Sequence, residues 1–328
     1  MSFGARFLRQ PERFSERPAG EPWGERELAL ELPGGPYRVL GLSAAQEAGV
    51  RATFPGSLLP AAGAPAAGAP AAPATAAAGA PVTCRLLRCT AGDFLPVDVR
   101  GWEYGLDFDW SPAAVRLAGL GLAARLDWRL GGAELGGVEL SGALWTPEDG
   151  GARFPGVFEN FLRVLVSYRL LELGGAVLHS AGVVRHGAAF LFLGRSGAGK
   201  TTVARFSQAQ GAEVLSDDLN ALLPHAAGCA VLKLPFTGDL GERRAARLPV
   251  PLGALLRLEQ DSVDALAPLS RAEALACLLA CAPFVNVDPY RRDRLEHVLF
   301  ALAAAAAPRA FTLRFSLGGG FWSILDEK

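Results

Sequence analysis

A glycine-rich stretch near the middle of the chain carries residue types that could hold a phosphate chain. Residues 194–202 read GRSGAGKTT and fit the pattern G-x-x-x-x-G-K-[ST]. In such a loop, glycines let successive backbone N–H groups point at phosphate oxygens, and the N-terminus of the following helix adds partial positive charge. Lys200 would neutralise the β and γ phosphates, and the Thr201 hydroxyl would bind Mg²⁺. The expected nucleotide-binding residues are Gly194, Arg195, Ser196, Gly197, Ala198, Gly199, Lys200, Thr201 and Thr202.

Two classes of protein that contain such a loop are excluded, because the sequence lacks the other motifs of those classes. A transport ATPase would carry an L-S-G-G-Q-like signature and an apolar strand ending in Asp-Glu, and a GTPase would usually carry N-K-x-D. None of these patterns occurs downstream of the loop. A phosphotransferase or an ATP-dependent regulator remains.

Two adjacent carboxylates follow the next predicted strand, AEVLS. Asp217 and Asp218 are expected at the edge of the sheet beside the glycine-rich loop. One of them could hold Mg²⁺ while the other accepts the proton of an attacking hydroxyl. The structural alternative is that one of them only caps a turn.

A histidine lies on the strand before the loop. AVLHSAGVV and AAFLFL read as two strands joined by a tight hairpin, with Gly187 supplying a positive φ. A two-residue turn at His186-Gly187 places His179 opposite Gly194, and a three-residue turn places it opposite Leu193. Either register brings His179 to the mouth of the loop, where it could contact the γ-phosphate or orient a carboxylate; the alternative is a structural histidine.

The elements that must position these residues begin near residue 156. GVFENFLRVLVSYRLLELGG has helical spacing and a glycine stop, and TTVARFSQAQ reads as a helix closed by Gly211. Further on, Ser270 to Glu273 form a capping box, Asp288-Pro289 is expected to start a helix that runs through Leu302, and AFTLRFS reads as a last strand. These elements predict an α/β domain at 156–328.

The N-terminal portion, residues 1–155, reads as β-rich. PYRVLGLSA is one strand, and the runs CRLLRCT, YGLDFDW, VRLAGLGLAARLDW and GGVELSGALW have period-2 patterns that predict an antiparallel sheet. Residues 60–81 are almost only Ala, Pro and Gly, a composition typical of a flexible linker or loop.

The composition of the chain indicates which kinds of binding partner to expect. Lys plus Arg number 32 against 33 for Asp plus Glu, so no overall field attracts nucleic acid or an anionic membrane. The five cysteines form no C-x-x-C pair, which is typical of reduced thiols, and no apolar run is long enough to span a bilayer. We therefore expect a soluble cytoplasmic protein without nucleic-acid or membrane partners.

Taken together, the motifs resemble the HPr serine kinase/phosphorylases and their reduced relatives. The shared order is L-H, a hairpin, G-x-S-G-x-G-K-[ST], a helix ending in glycine, and a strand ending in D-D. In this chain these are Leu178-His179, residues 194–201, Gly211 and Asp217-Asp218. In layout the chain is most similar to HPr kinase-related proteins of modified-peptide gene clusters, including kinases of lasso-peptide precursors.

The resemblance implies a P-loop kinase domain of the HPr kinase and phosphoenolpyruvate carboxykinase type. It implies that His179 is catalytic, that Asp218 accepts the proton, and that Asp217 assists the metal or the base. The expected activity is Mg-ATP-dependent phosphorylation of a hydroxyl, serine of a peptide or small protein, and family members often form homo-oligomers.

Two features depart from the family pattern. Thr202 stands where the family commonly has Glu, and the E-I-R-G-L-G segment has no clear equivalent; Glu242-Arg243-Arg244 could replace it or be a solvated charge run. A nucleotide-binding regulator or scaffold without turnover, and a small-molecule kinase, are therefore the alternatives.

Overall fold

A computed structural model describes residues 3–14, 20–60, 81–97, 105–130, 138–226, 228–236, 238–240 and 249–327. It comprises two compact units, Met1–Arg169 and Leu170–Lys328. The sequence predicted a boundary at residue 155; the division between the two units falls in the last turn of the long helix that begins at Phe154. Almost all of the Ala/Pro/Gly segment lies outside the described residues.

The described residues of the first unit form a seven-stranded sheet. Its elements are β1 (Arg26–Leu32), β2 (Gly35–Leu42), α1 (Ala44–Thr53), β3 (Val82–Arg88), β4 (Leu106–Trp110), β5 (Ala114–Gly119), β6 (Leu122–Leu130), β7 (Val138–Thr146) and most of α2 (Phe154–Glu172). The strand order is β1-β2-β3-β7-β6-β5-β4. The expectation of an antiparallel sheet was wrong for the centre, because β3 pairs in parallel with both β2 and β7. The alternating patterns identify strands but do not specify which neighbour each strand joins.

Helix α2 confirms the apolar spacing that predicted it. The residues that defined its stripe are all buried: Phe158, Phe161, Leu162, Leu165 and Tyr168. The predicted glycine stop is also confirmed, since Gly174 has φ of 80° and the Gly175 N–H donates to the Leu170 carbonyl at 2.8 Å. This is the hydrogen-bond pattern with which a left-handed glycine ends a helix.

The second unit contains an eight-stranded sheet and four helices of its own among its described residues. The elements are β8 (Ala176–Arg185), β9 (Ala188–Leu193), α3 (Lys200–Ala209), β10 (Glu213–Ser216), β11 (Leu219–His225), β12 (Gly228–Lys233), β13 (Val250–Gln260), β14 (Ala265–Pro268), α4 (Arg271–Cys281), α5 (Arg292–Ala306), β15 (Ala310–Phe315) and α6 (Phe321–Leu325).

Strand β8 organises this sheet. One of its edges pairs with β9, and its other edge pairs with β10 and then β11, all antiparallel. Beyond β9 the sheet continues in parallel to β13 and from there to β15, with β14 antiparallel at the end. Strand β12 pairs with both β11 and β13, so the strands β8, β9, β13, β12 and β11 form a closed ring of paired neighbours. Helices α3 and α6 cover one apolar cluster of the sheet, which includes Phe192, Leu256, Phe315 and Trp322.

Helix α4 begins as predicted, and α5 does not. Ser270 and Glu273 make both bonds of the capping box. The next helix was expected to start at Asp288-Pro289, but it starts at Arg292 and continues to Ala306. The Asp288 carboxylate is buried, accepts a hydrogen bond from the Tyr290 N–H at 2.8 Å, and lies 3.7 Å from the Arg291 guanidinium. It therefore closes a turn ahead of the helix.

Candidate functional site

The β8–β9 hairpin fixes where His179 lies. Its pairs run from Arg185 with Ala188 to Ser180 with Leu193, so the two-residue turn is the correct alternative. Both turn residues have positive φ, 50° at His186 and 77° at Gly187, as a type I′ turn requires. One further step in this register places His179 opposite Gly194.

Three glycines of the loop are needed for different reasons. Gly197 and Gly199 have φ of 80° and 99°, values that side chains other than glycine rarely adopt. A Cβ on Gly199 would lie 2.5 Å from Cζ of Phe315, whereas a Cβ on Gly197 would meet open space. A Cβ on Gly194 would lie 2.6 Å from that of Ala198. The loop is thus closely packed at both ends and free at its tip.

Lys200 occupies the first turn of α3, where unpaired backbone N–H groups make a natural anion site. Its ammonium group donates to the carbonyls of Gly194, at 2.9 Å, and Arg195, at 3.2 Å. Burial lowers the pKa of Lys200, an effect opposed by Cys281, Asp218 and Asp217. A phosphate would give this buried cation a stronger partner than two neutral carbonyls.

Asp217 is held by two donors. Its Oδ2 accepts from the Thr201 hydroxyl at 2.9 Å, and its Oδ1 accepts from the Leu240 N–H at 2.9 Å. The segment before Leu240 packs closely against it, since a Cβ on Gly238 would lie 2.5 Å from Oδ1 of Asp217. Asp217 is only 6% exposed. The structure therefore joins the carboxylate to the first turn of α3.

Asp218 points to the more open side. Its Oδ1 lies 3.6 Å from Nε2 of His179, and the two side chains are 27% and 47% exposed. Its backbone carbonyl accepts from the Ser180 N–H at 3.0 Å, which continues the β8 pairing across the two aspartates. Asp217 and Asp218 thus form the break between β10 and β11 along one edge of β8.

A buried polar network shapes this break, and it was not predicted from the sequence. The Ser216 hydroxyl accepts from the backbone N–H groups of Asp218 and Leu219, and the Asn220 amide donates to the carbonyls of Ser180 and Ser216. Asn220 is fully buried. The available signal was a polar residue within an otherwise apolar run, LNALL, immediately after the two aspartates.

Two further residues contact the loop without having been predicted. The Gln260 amide, at the end of β13, donates to the Gly197 carbonyl at 3.0 Å. Cys281 lies at the end of α4; the Gly194 N–H hydrogen-bonds its sulfur, and burial raises the pKa of the thiol. Neither residue belongs to a sequence motif, so no local signal identified them.

The remaining predicted loop residues lie at its rim. Arg195 and Ser196 are exposed at the tip, and Ala198 and Thr202 are partly buried. Glu242-Arg243-Arg244 falls outside the described residues.

The oxygens of Thr201 and Asp217 could hold a magnesium ion. A hydroxyl and a carboxylate, completed by phosphate oxygens and water, are the ligands that Mg²⁺ takes at nucleotide sites. Among the residues that the structure describes, no cluster of three or more His, Cys, Asp and Glu side chains could hold a metal. Thr201 and Asp217 supply two oxygen ligands, a set that would fit a metal held jointly with phosphate oxygens.

The fold and this site define a mixed α/β protein whose second unit carries a strand, a glycine-rich loop and a helix, with two aspartates and a histidine at the mouth of the loop. The model of a family described as SynChlorMet cassette protein ScmC matches residues 159–328, just over half of the chain. The chain therefore belongs to the ScmC family.

A comparison with curated proteins found no match. Across the described parts of the chain, no helix has both the length and the apolar character needed to cross a bilayer.

Proposed function

We propose that this protein is a Mg-ATP-dependent kinase that transfers the γ-phosphoryl group to a hydroxyl, serine of a peptide or small protein. The observation that carries the proposal is the arrangement at the mouth of the loop. Asp217 is bonded to Thr201 in the first turn of α3, while Asp218 lies beside His179 on the more exposed side. The similarity of the motifs to HPr kinase-related proteins supports the same activity.

The two carboxylates have different tasks in this proposal. Asp217 is buried and tied to Thr201, which suits a ligand of Mg²⁺ held together with the phosphates; the bound ion would neutralise phosphate charge. Asp218 is accessible to an acceptor, so it takes the proton of the attacking hydroxyl. His179 orients the Asp218 carboxylate or contacts the γ-phosphate.

The transfer step balances as an in-line displacement. The acceptor oxygen forms a bond to the γ-phosphorus, the bond from that phosphorus to the bridging oxygen of ADP breaks, and the hydroxyl proton moves to Asp218. Lys200 leaves the loop carbonyls to pair with the phosphates, where it offsets their negative charge.

Membership of a family named after a gene cassette suggests where to look for the acceptor. Peptides encoded beside the gene are the first candidates, and small hydroxyl compounds are the second. Transfer is measured in a single turnover with γ-labelled ATP, and slow hydrolysis of ATP without an acceptor serves as an additional readout.

We expect Asp218→Asn to lower the transfer rate by about 10²–10⁴-fold, the usual contribution of a general base, while ATP affinity is kept. Asp293→Asn is the matched control, because it removes an exposed carboxylate of α5, outside the proposed site. Transfer that survives in Asp218→Asn would refute its role as base.

The alternative of a nucleotide-binding regulator without turnover is favoured by one residue, Thr202, which replaces the Glu of the similar kinases. Wild-type protein that binds ATP but transfers phosphate to no peptide, small hydroxyl compound or water would establish that alternative and overturn the kinase.

A further inference from the structure

The glycine-rich loop lies at an edge of the sheet where three parallel strands end. β9 runs into the loop, β13 lies beside β9, and β15 lies beside β13. Their register brings the ends together, with Leu193 paired to Arg257 and Gln260 paired to Phe315. Ligands of α/β sheets bind at the carboxyl ends of such strands. The loops that leave β13 and β15 therefore share the edge that holds the phosphate loop.

The direction of a bound nucleotide follows from the position of the aspartates. Asp217 and Asp218 lie beside β8, which pairs with one edge of β9, whereas β13 pairs with the other edge. A triphosphate whose γ-phosphate faces Asp218 must extend its nucleoside end away from β8. That end then lies over the loops that follow β13 and β15.

Hydrogen bonds tie these two loops to each other and to the phosphate loop. The Asp264 carboxylate accepts from the Ser316 N–H, and the Asp261 N–H donates to the Phe315 carbonyl at 3.0 Å. Gln260 donates to the Gly197 carbonyl of the phosphate loop at 3.0 Å. Both loops are therefore pre-arranged relative to the phosphate site.

Each of the two loops exposes one large apolar side chain. Val263 is 65% exposed and Leu317 is 74% exposed, and they are the chain neighbours of the bonded residues Asp264 and Ser316. Single exposed apolar side chains are ordinary on protein surfaces. What distinguishes these two is their position on hydrogen-bonded loops at the carboxyl ends of the strands beside the phosphate loop, where apolar side chains suit one face of a planar ring.

We propose that Val263 and Leu317 form the binding surface for the nucleobase of the nucleotide whose phosphates lie on residues 194–201. This inference rests on the proposed function only as far as nucleotide binding, because it does not require that phosphate be transferred. The base gains affinity by covering apolar surface rather than through a charge.

The test compares two ligands that share the phosphate chain, ATP and inorganic tripolyphosphate, by calorimetry with Mg²⁺ present. The double variant Val263→Ser, Leu317→Ser removes apolar surface without adding charge, so the field at the phosphates is unchanged. We expect it to weaken ATP binding about tenfold, the equivalent of about 1.4 kcal/mol, and to leave tripolyphosphate binding unchanged.

Two controls separate the base surface from general damage. Phe300→Ser makes the same kind of change at an exposed apolar residue of α5 and should alter neither affinity. Leu317→Met keeps the apolar surface and should keep ATP affinity.

Unchanged ATP affinity in the double variant, or an equal loss for both ligands, would overturn the base surface. A wild-type protein that binds ATP but transfers no phosphate would instead overturn the kinase and leave the base surface standing. A wild-type protein that binds neither ligand would overturn nucleotide binding and, with it, both proposals.

Discussion

At the scale of single residues, the site is a set of charges held in place before any ligand arrives. Lys200 is bonded to two loop carbonyls, Asp217 is bonded to Thr201 and Leu240, and Asp218 faces His179. The two carboxylates are thus oriented without a ligand, whereas Lys200 would exchange its two neutral carbonyls for phosphate oxygens. Lys200, Thr201, Asp217, Asp218 and His179 were named from the sequence because each belongs to a short stretch whose spacing is visible there. Leu240 belongs to no such stretch and was not named.

Lys200 gives a prediction about pH. Burial lowers its pKa from the value of 10.5, so the protonated lysine is less favourable in the folded protein than in the unfolded chain. The unfolded chain therefore binds more protons than the folded protein between the lowered pKa and 10.5. Over that range the free energy of unfolding rises with pH, because the cost of burying a charged lysine disappears. The melting temperature of wild-type protein should rise relative to that of Lys200→Met between pH 7 and pH 10.

Differential scanning fluorimetry of both proteins at each pH measures this difference. Adding tripolyphosphate and Mg²⁺ at pH 7 should raise the melting temperature of wild-type protein and leave that of Lys200→Met almost unchanged. A melting difference that stays constant with pH would show that Lys200 is not desolvated in the folded protein.

At the scale of elements, the strand–loop–helix unit depends on glycine for two separable reasons. Gly199 has φ of 99° and no room for a Cβ beside Phe315, whereas Gly211, at the end of α3, has φ of 81° and open space around it. We expect Gly211→Ala to cost about 1–2 kcal/mol, the cost of the left-handed backbone alone. Gly199→Ala should cost more, because the Phe315 ring must also move.

Urea unfolding measures both costs, and tripolyphosphate binding separates their consequences. Gly211→Ala should keep phosphate affinity because it leaves the loop intact, and Gly199→Ala should lose it. Equal costs and equal affinities in the two variants would mean that the contact between Phe315 and the loop has no role in its shape.

The elements also show which parts of the fold a sequence can predict. The β8–β9 hairpin and the end of α3 were predicted correctly because one or two glycines determine each of them locally. Strands β11 and β12 were missed, since their paired, buried stretches read as largely apolar runs without alternation. Strand β13 was also missed: its second half alternates, but Pro251 and Gly253 interrupt the strand pattern in its first half. The contact of Gln260 with the loop depends on the parallel pairing of β13 with β9, which joins residues 63 or 64 positions apart and leaves no local signal.

At the scale of the whole molecule, the five cysteines are distributed over both units, so their reactivity can probe the folding of each unit. Cys84 and Cys89 lie in the first unit, and Cys229, Cys277 and Cys281 lie in the second. Burial raises the pKa of all five thiols, to about 12 for Cys89 and about 11 for Cys229. Only the thiolate reacts, so each unit by which the pKa rises lowers the reactive fraction about tenfold at pH 8.

We therefore expect all five thiols of the folded protein to react with a disulfide reagent at pH 8 more slowly than in denaturant at the same pH, and those of Cys89 and Cys229 by more than about tenfold. Labelling during a urea titration, followed by mass spectrometry of the cysteine peptides, gives a separate unfolding curve for each unit. The denatured protein at the same pH is the control, because its thiols have ordinary pKa values. A cysteine that reacts as fast in the folded protein as in the denatured one would contradict its burial, and the unit in which it lies would show which part of the fold opens.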